Sequence, residues 1–166
     1  MKNPKIKIKV AYLGEMTFEL YPKKAPLTVE NFLSLIEEGF FTNTIFHRVI
    51  KNFVIQGGGY DVSGKQKKTH CIKGEFASNG CNSNDVAHVK GVLSMARTMD
   101  PNSASSQFFI MHGDAPHLDS QYAAFGMIID GMEVVDKIAS MHTDRFECPK
   151  ENVIIETIEV MEDDKA

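Results

Sequence analysis

The chain has 166 residues, 43% of them apolar and 24% charged, which suits one soluble globular domain with an adequate core. Eighteen basic against 22 acidic side chains leave a net charge of −4, so no global field attracts nucleic acid or an anionic membrane. Met1 to Tyr12 lack the apolar run and cleavage site of a secretory signal, and no later stretch reaches the length of a membrane span; a cytoplasmic location is expected.

From Lys5 to Tyr12 apolar and polar residues alternate, which predicts a half-buried strand with Ile6, Ile8, Val10 and Tyr12 on one face. Leu13 and Gly14 supply a turn, and Met16, Phe18 and Leu20 continue the alternation as the second arm of a hairpin. Pro26 and Thr28 open a helical pattern with Val29, Phe32, Leu33 and Ile36 on one side, and Gly39 ends it as a left-handed cap. Short apolar segments follow at Ile45 to Ile50, Phe53 to Ile55, Val92 to Ala96, Phe108 to Met111 and Ala123 to Ile129. A second helix after Asp130-Gly131 groups Met132, Val135, Ile138 and Ala139, and Val153 to Met161 is a closing strand. About eight short strands in one open sheet would leave exposed edges, so the economical fold is a closed antiparallel barrel with the two helices over its ends. The polar stretch from Gly57 to Val89 is too long for an idle loop in a compact domain.

Several short motifs fail. Gly59 to Lys65 resembles part of a phosphate loop, but Gln66 stands where a magnesium-binding Ser or Thr is required and no helix follows. Cys71, Cys81 and Cys148 form an odd set without CxxC spacing, as in reduced thiols. His70, Cys71, Cys81 and His88 match no zinc spacing and are expected to be unrelated loop residues; no metal and no cofactor is predicted. His47 lies in an apolar strand and is expected to be a hydrogen-bonded core histidine rather than a general base.

Two clusters remain. Arg48 follows Phe46-His47 and lies near Phe53, Val54 and Gln56, so a guanidinium stands among apolar neighbours with an amide to hold it; alternation leaves its face of the sheet open. In Ser105-Ser106-Gln107-Phe108-Phe109-Ile110 adjacent aromatics must point to opposite faces, one ring into the core and the other free to line a pocket. Asn102 to Ser105 read as a small-residue loop that lets a peptide backbone approach, or as a plain turn.

Phe46-His47-Arg48-Val49-Ile50 with Asn52-Phe53-Val54-Ile55-Gln56-Gly57-Gly58 resembles the cyclophilin signature. Leu93-Ser94-Met95-Ala96-Arg97 and Ser106 to Ile110 resemble two further blocks of that family, and the order of motifs agrees through Leu118-Asp119, Phe125-Gly126 and Asp130-Gly131-Met132. The resemblance implies a mainly β fold, an eight-stranded antiparallel barrel capped by two helices, and a peptidyl-prolyl cis/trans isomerase without cofactor or covalent intermediate. It also implies roles for residues: Arg48 as the catalytic arginine, Gln56 as its orienter, Phe53, Val54, Phe109 and Leu118 as walls of a proline pocket, and Ala96, Arg97, Thr98 and Gln107 as a neighbouring peptide groove. Three positions depart from the familiar eukaryotic pattern: Tyr122 for a pocket histidine, Arg97 for an asparagine, and His117 for a tryptophan that contacts the inhibitor cyclosporin. Weakened cyclosporin binding is therefore expected, with proline-containing peptides and folding chains as partners and a monomeric state. The rival readings are a non-catalytic prolyl-peptide module or holdase and a scaffold protein, for which only the acidic end Glu162 to Asp164 resembles an interaction tail.

Overall fold

The computed structural model describes residues 3–161, so the acidic stretch Glu162 to Asp164 lies outside the described residues. Its elements in chain order are β1 (Lys5–Val10), β2 (Gly14–Leu20), α1 (Pro26–Glu37), β3 (Thr44–Ile50), β4 (Val54–Asp61), β5 (Val92–Met95), β6 (Phe108–Met111), β7 (Ala124–Asp130), α2 (Met132–Ala139) and β8 (Ile154–Met161). The strands close into an antiparallel barrel in the order β1-β2-β7-β5-β6-β4-β3-β8, which removes every open edge. Inward residues such as Ile8, Phe18, Phe46, Leu93, Phe108 and Ile155 share one core with Val29, Phe32 and Leu35 of α1 and Val135 and Ile138 of α2. Phe32 stands against Phe41, Phe108 and Phe125 with ring centroids 4.9, 5.5 and 5.1 Å away, so the first helix is locked to the barrel by aromatic packing.

Several predicted boundaries shift for physical reasons. β1 stops at Val10; Tyr12 has φ +66° in the turn and is fully exposed, so it does not share the core face of Ile6, Ile8 and Val10. β4 starts one residue later than expected and runs on to Asp61 through Gly57-Gly58-Gly59, where missing side chains hide the period of a strand. The deep residues of α1 are Val29, Phe32 and Leu35, with Leu33 and Ile36 only half-buried. In α2 Val134 joins Val135, Ile138 and Ala139 inside while Met132 is only partly covered.

Helix α1 begins at Pro26, before Thr28, with Ala25 at the capping position and no local side-chain cap. Its free backbone donors are met from far along the chain: buried Glu75 accepts from the Leu27 and Thr28 N–H groups at 3.1 and 2.7 Å and from the Thr28 hydroxyl at 2.8 Å. A carboxylate at the positive end of a helix also complements its dipole. At the other end Gly39 adopts φ +73°, as expected, and the Phe40 and Gly39 N–H groups reach back to the Leu35 and Ile36 carbonyls at 3.0 Å each. The long polar stretch is thus pinned rather than loose, with Ile72 bridged to Ala104 and Asn84 donating to the Glu75 and Ala124 carbonyls.

Candidate active site

The barrel's register assembles the site. Arg48 on β3 stands opposite Gln56 on β4, Gln56 opposite Phe109 on β6, and Phe109 opposite Ser94 on β5. Residues directly opposite across a ladder share a face, so these four form one row across four strands. The parallel row Phe46, Gly57, Phe108 and Met95 points into the barrel. Phe108 is therefore the core ring and Phe109 the outer one, as the paired aromatics required.

Arg48 reaches the outer row because β3 carries a bulge. Strict alternation from inward Phe46 would send Arg48 into the core, but the register shifts between them: two steps on β3 match one on β4, leaving His47 as the extra residue. Alternation then resumes with Val49 inside. The His47 ring packs against Tyr60, centroids 4.7 Å apart, and its Nδ1 is buried without a hydrogen-bond partner, contrary to the hydrogen-bonded core histidine expected.

Burial, aided by the adjacent Arg48 guanidinium, lowers the His47 pKa from 6.5 to about 4. The unfolded chain binds a proton near pH 6.5 that the native state refuses until about pH 4, so stability falls as pH drops through that window. Because the ring is partly exposed, the loss is discounted to about 1–2 kcal/mol. His47→Asn is expected to remove it: urea unfolding at pH 7 and pH 4.5 should show wild type losing that much more stability than the variant. Equal losses would contradict the account.

Above the outer row lies a cleft of about 140 Å³. Phe53, Val54, Phe109, Leu118 and Ala96 give it apolar walls, and Arg48, Gln56, Arg97 and Tyr122 complete its lining. A second groove shares Gln56, Ala96 and Arg97 and continues past Thr98, Ser103, Ser105 and Gln107. His117 does not line the cleft; it is exposed on the rim, its ring stacked on Phe53 with centroids 5.8 Å apart.

Polar contacts fix these groups. Gln56 donates from Nε2 to Gln107 Oε1 at 3.0 Å, which turns its own carbonyl oxygen toward Arg48 Nη1 at 3.5 Å, the outer limit of a hydrogen bond. Gly59 makes room for this: a Cβ there would lie 2.4 Å from Gln107 Cγ. The Arg97 side chain is held away from the cleft centre, donating from Nε and Nη2 to the Gln121 carbonyl at 3.1 and 2.6 Å and from Nη1 to the Thr98 carbonyl at 2.9 Å. Its guanidinium lies over the Phe76 and Tyr122 rings at 4.8 and 4.7 Å, so it braces the Tyr122 wall.

Beneath Phe109 sits a network that short-range sequence patterns did not reveal. His88 Nδ1 is 3.2 Å from Asp119 Oδ1, and its Nε2 is 2.9 Å from Ser94 Oγ. A carboxylate only accepts, so Nδ1 carries the proton and Nε2 accepts from Ser94. Burial lowers the His88 pKa, with Asp119 pulling it partly back. The set has the composition of a hydrolytic triad, but Ser94 is wholly buried behind Phe109 and has no access to an electrophile. Its effect is to support the ring, since His88 stacks on Phe109 with centroids 6.0 Å apart. Four residues in contact with the cleft groups were not among the site residues expected from sequence: Phe76, His88, which was expected to be an unrelated loop residue, Asp119, which was named only within a motif, and Glu147, whose carboxylate is 3.3 Å from Arg48 Nε.

The family model for cyclophilin type peptidyl-prolyl cis-trans isomerases matches residues 5–160. The chain belongs to the cyclophilin family. It is similar to a peptidyl-prolyl cis-trans isomerase of Acinetobacter baylyi, 46% identical over 89% of this chain and 81% of the relative. It is also similar to peptidyl-prolyl cis-trans isomerase B of Escherichia coli, 44% identical over 90% of this chain and 95% of that one. A crystal structure of a Cryptosporidium parvum cyclophilin superposes with TM-score 0.83 at 31% identity, over 98% of this chain and 99% of that one. A second structure of that protein, in the presence of the dipeptide Ala-Pro, gives TM-score 0.81 at 31% identity over 96% and 99% of the two chains. This cyclophilin is an isomerase of Xaa-Pro peptide bonds, and the outer face of its barrel carries the cleft just described.

Proposed function

We propose that the cleft seats the proline ring of an extended peptide or folding chain, and that Arg48 donates a hydrogen bond to the prolyl nitrogen as the preceding bond twists. The observation that carries this reading is the row Arg48, Gln56 and Phe109, which sets a guanidinium, its orienting amide and an aromatic floor side by side on adjacent strands.

A peptide bond resists rotation with a barrier of about 18–20 kcal/mol because resonance gives the C–N bond double-bond character. In the twisted state that conjugation is lost, and the nitrogen lone pair becomes an acceptor that the planar states lack. A donor aimed at this atom binds the twisted state better than either ground state, which is the condition for acceleration. One charge-assisted hydrogen bond supplies about 1.5–3 kcal/mol, so the rest comes from holding the ring against Phe53, Phe109 and Leu118 and the preceding residue along the groove by Ala96, Arg97 and Gln107. Tyr122 closes the wall with an aromatic face. No bond breaks, so the mechanism calls for no metal, cofactor or nucleophile.

Exchange NMR on a short Ala-Pro peptide separates this reading from a prolyl-peptide module or holdase: cross-peaks between cis and trans forms are expected with substoichiometric protein. Saturable shifts without exchange would contradict it. The same reading takes the protein as a single-domain monomer acting in the cytoplasm; the family match over residues 5–160, the closed barrel without a free strand edge, and the unpaired Cys71, Cys81 and Cys148 support it. Cyclosporin is expected to inhibit weakly, because the His117 imidazole offers less apolar surface than an indole. Inhibition of the purified protein at nanomolar cyclosporin would contradict that expectation.

A further inference from the structure

Arg48 is held at two points. Gln56 faces Nη1 from the strand floor, and Glu147 faces Nε from the loop between α2 and β8, with its Oε1 3.3 Å away. Glu147 has φ +67°, a left-handed conformation that residues with a Cβ adopt rarely and that glycine adopts freely. Such an outlier persists where the surroundings hold it. Here Val49 N–H donates to the Glu147 carbonyl at 2.7 Å, docking the loop on β3 next to Arg48. Within the loop, Glu147 N–H donates to the Asp144 carbonyl at 3.0 Å, and Asp144 Oδ1 accepts from Phe146 N–H at 2.8 Å and Cys148 N–H at 3.2 Å. The backbone is therefore anchored independently of the Glu147 side chain, which is left to engage Arg48.

We propose that Glu147 is a positioning residue for the isomerase reaction: it clamps Arg48 through Nε so that the guanidinium presents its remaining donors to the cleft. This rests on the reading that Arg48 acts on the prolyl nitrogen. The two side chains are 43% and 47% exposed, so the pair contributes little to folding stability. Its effect is on geometry. A long arginine side chain free in solvent samples many rotamers, and each hydrogen bond to a fixed partner removes some of that freedom before the substrate arrives. The chemistry also explains why a carboxylate serves: Nε–H is a cationic donor, and acceptors anchored at Nε and Nη1 leave Nη2, which neither Glu147 nor Gln56 engages, to donate into the cleft.

The test compares Glu147→Ala and Glu147→Gln with wild type on an Ala-Pro peptide. Glu147→Ala is expected to lower kcat about three- to tenfold with KM within about twofold and an unchanged unfolding midpoint. Glu147→Gln keeps an acceptor oxygen and is expected to restore kcat to within about twofold of wild type. The Arg48 Nε–H resonance in a ¹⁵N spectrum should move in Glu147→Ala, and in an Arg48→Ala background Glu147→Ala should cause no further loss. Wild-type kcat in Glu147→Ala beside a crippled Arg48→Ala would overturn the positioning role alone. A Glu147→Ala loss that persists undiminished in the Arg48→Ala background would also overturn it, since Glu147 would then act without Arg48. Wild-type turnover in Arg48→Ala itself would remove the catalytic reading of Arg48 and the role of Glu147 with it.

Discussion

Replacing Arg48 with alanine is expected to lower kcat/KM of this cyclophilin about 10- to 150-fold while leaving the fold intact. The range corresponds to the about 1.5–3 kcal/mol of one charge-assisted hydrogen bond made in the twisted state. The loss should fall mainly on kcat, because the apolar walls that seat the proline ring, Phe53, Phe109 and Leu118, are untouched. Stability should hardly change, since the arginine side chain is 43% exposed and stands outside the barrel core. Lysine at position 48 should recover only part of the loss: it keeps the charge but lacks the planar fork that meets Gln56 and Glu147 at once. A protease-coupled proline-peptide assay checks the series, and Arg48→Ala within twofold of wild type would contradict the assignment.

The largest effect on stability is expected at a residue remote from the cleft. Glu75→Ala strips the start of α1 of its cap and leaves two backbone N–H groups and the Thr28 hydroxyl without an acceptor, one of those amides fully buried. Unpaired buried donors cost about 1–3 kcal/mol each, the hydroxyl can rotate, and water can reach the Leu27 amide, so a loss of about 2–4 kcal/mol is expected. In a protein of this size that lowers the thermal midpoint by roughly 5–15 °C. Glu75→Gln keeps one acceptor oxygen and should lose about half as much. Thermal unfolding by circular dichroism checks both; a shift below about 2 °C for Glu75→Ala would show that the helix start finds another acceptor.

Glu75 also illustrates what sequence could not reveal. Periodicity reports which residues of one element face the core, so the alternating runs of β1 and β2 and the aromatic pair Phe108-Phe109 were legible. Closure of the barrel followed from the number of short strands and the cost of open edges. Periodicity carries no information about a partner 47 positions away, and nothing local to Glu75 marks it as a helix cap. The same limit applies to Phe76 under Arg97 and to His88 and Asp119 beneath Phe109, all drawn from stretches without a repeating pattern. The face of Arg48 was undecidable for a different reason. A bulge at His47 inverts the alternation after Phe46, and an inserted residue has no fixed chemical signature in a single strand. β4 was cut short because Gly57-Gly58-Gly59 offer no side chains to alternate, although Gly59 is where Gln107 needs room beside Gln56.

The resemblance to the family supplied the cleft residues that periodicity alone could not group, and the structure gathers Arg48, Phe53, Val54, Gln56, Ala96, Arg97, Phe109, Leu118 and Tyr122 around one cavity. Gln107 lies one step behind, in contact with Gln56, and His117 on the rim. Arg97 is the residue whose side chain departs most from a simple groove contact. Its three guanidinium nitrogens are bound to the Gln121 and Thr98 carbonyls, and the guanidinium lies over the Tyr122 ring, so the side chain braces the wall of the cleft.

The most direct measurement is a titration of ¹⁵N-labelled wild type and Arg48→Ala with one Ala-Pro peptide, recording protein shifts and peptide cis/trans exchange in the same samples. Saturable shifts at the amides of Phe109, Leu118 and Tyr122 are predicted in both proteins, with exchange cross-peaks strong in wild type and lost in Arg48→Ala. Equal exchange in the two proteins, or shifts confined to another face of the barrel, would contradict the assignment of this cleft and of Arg48 as its catalytic donor.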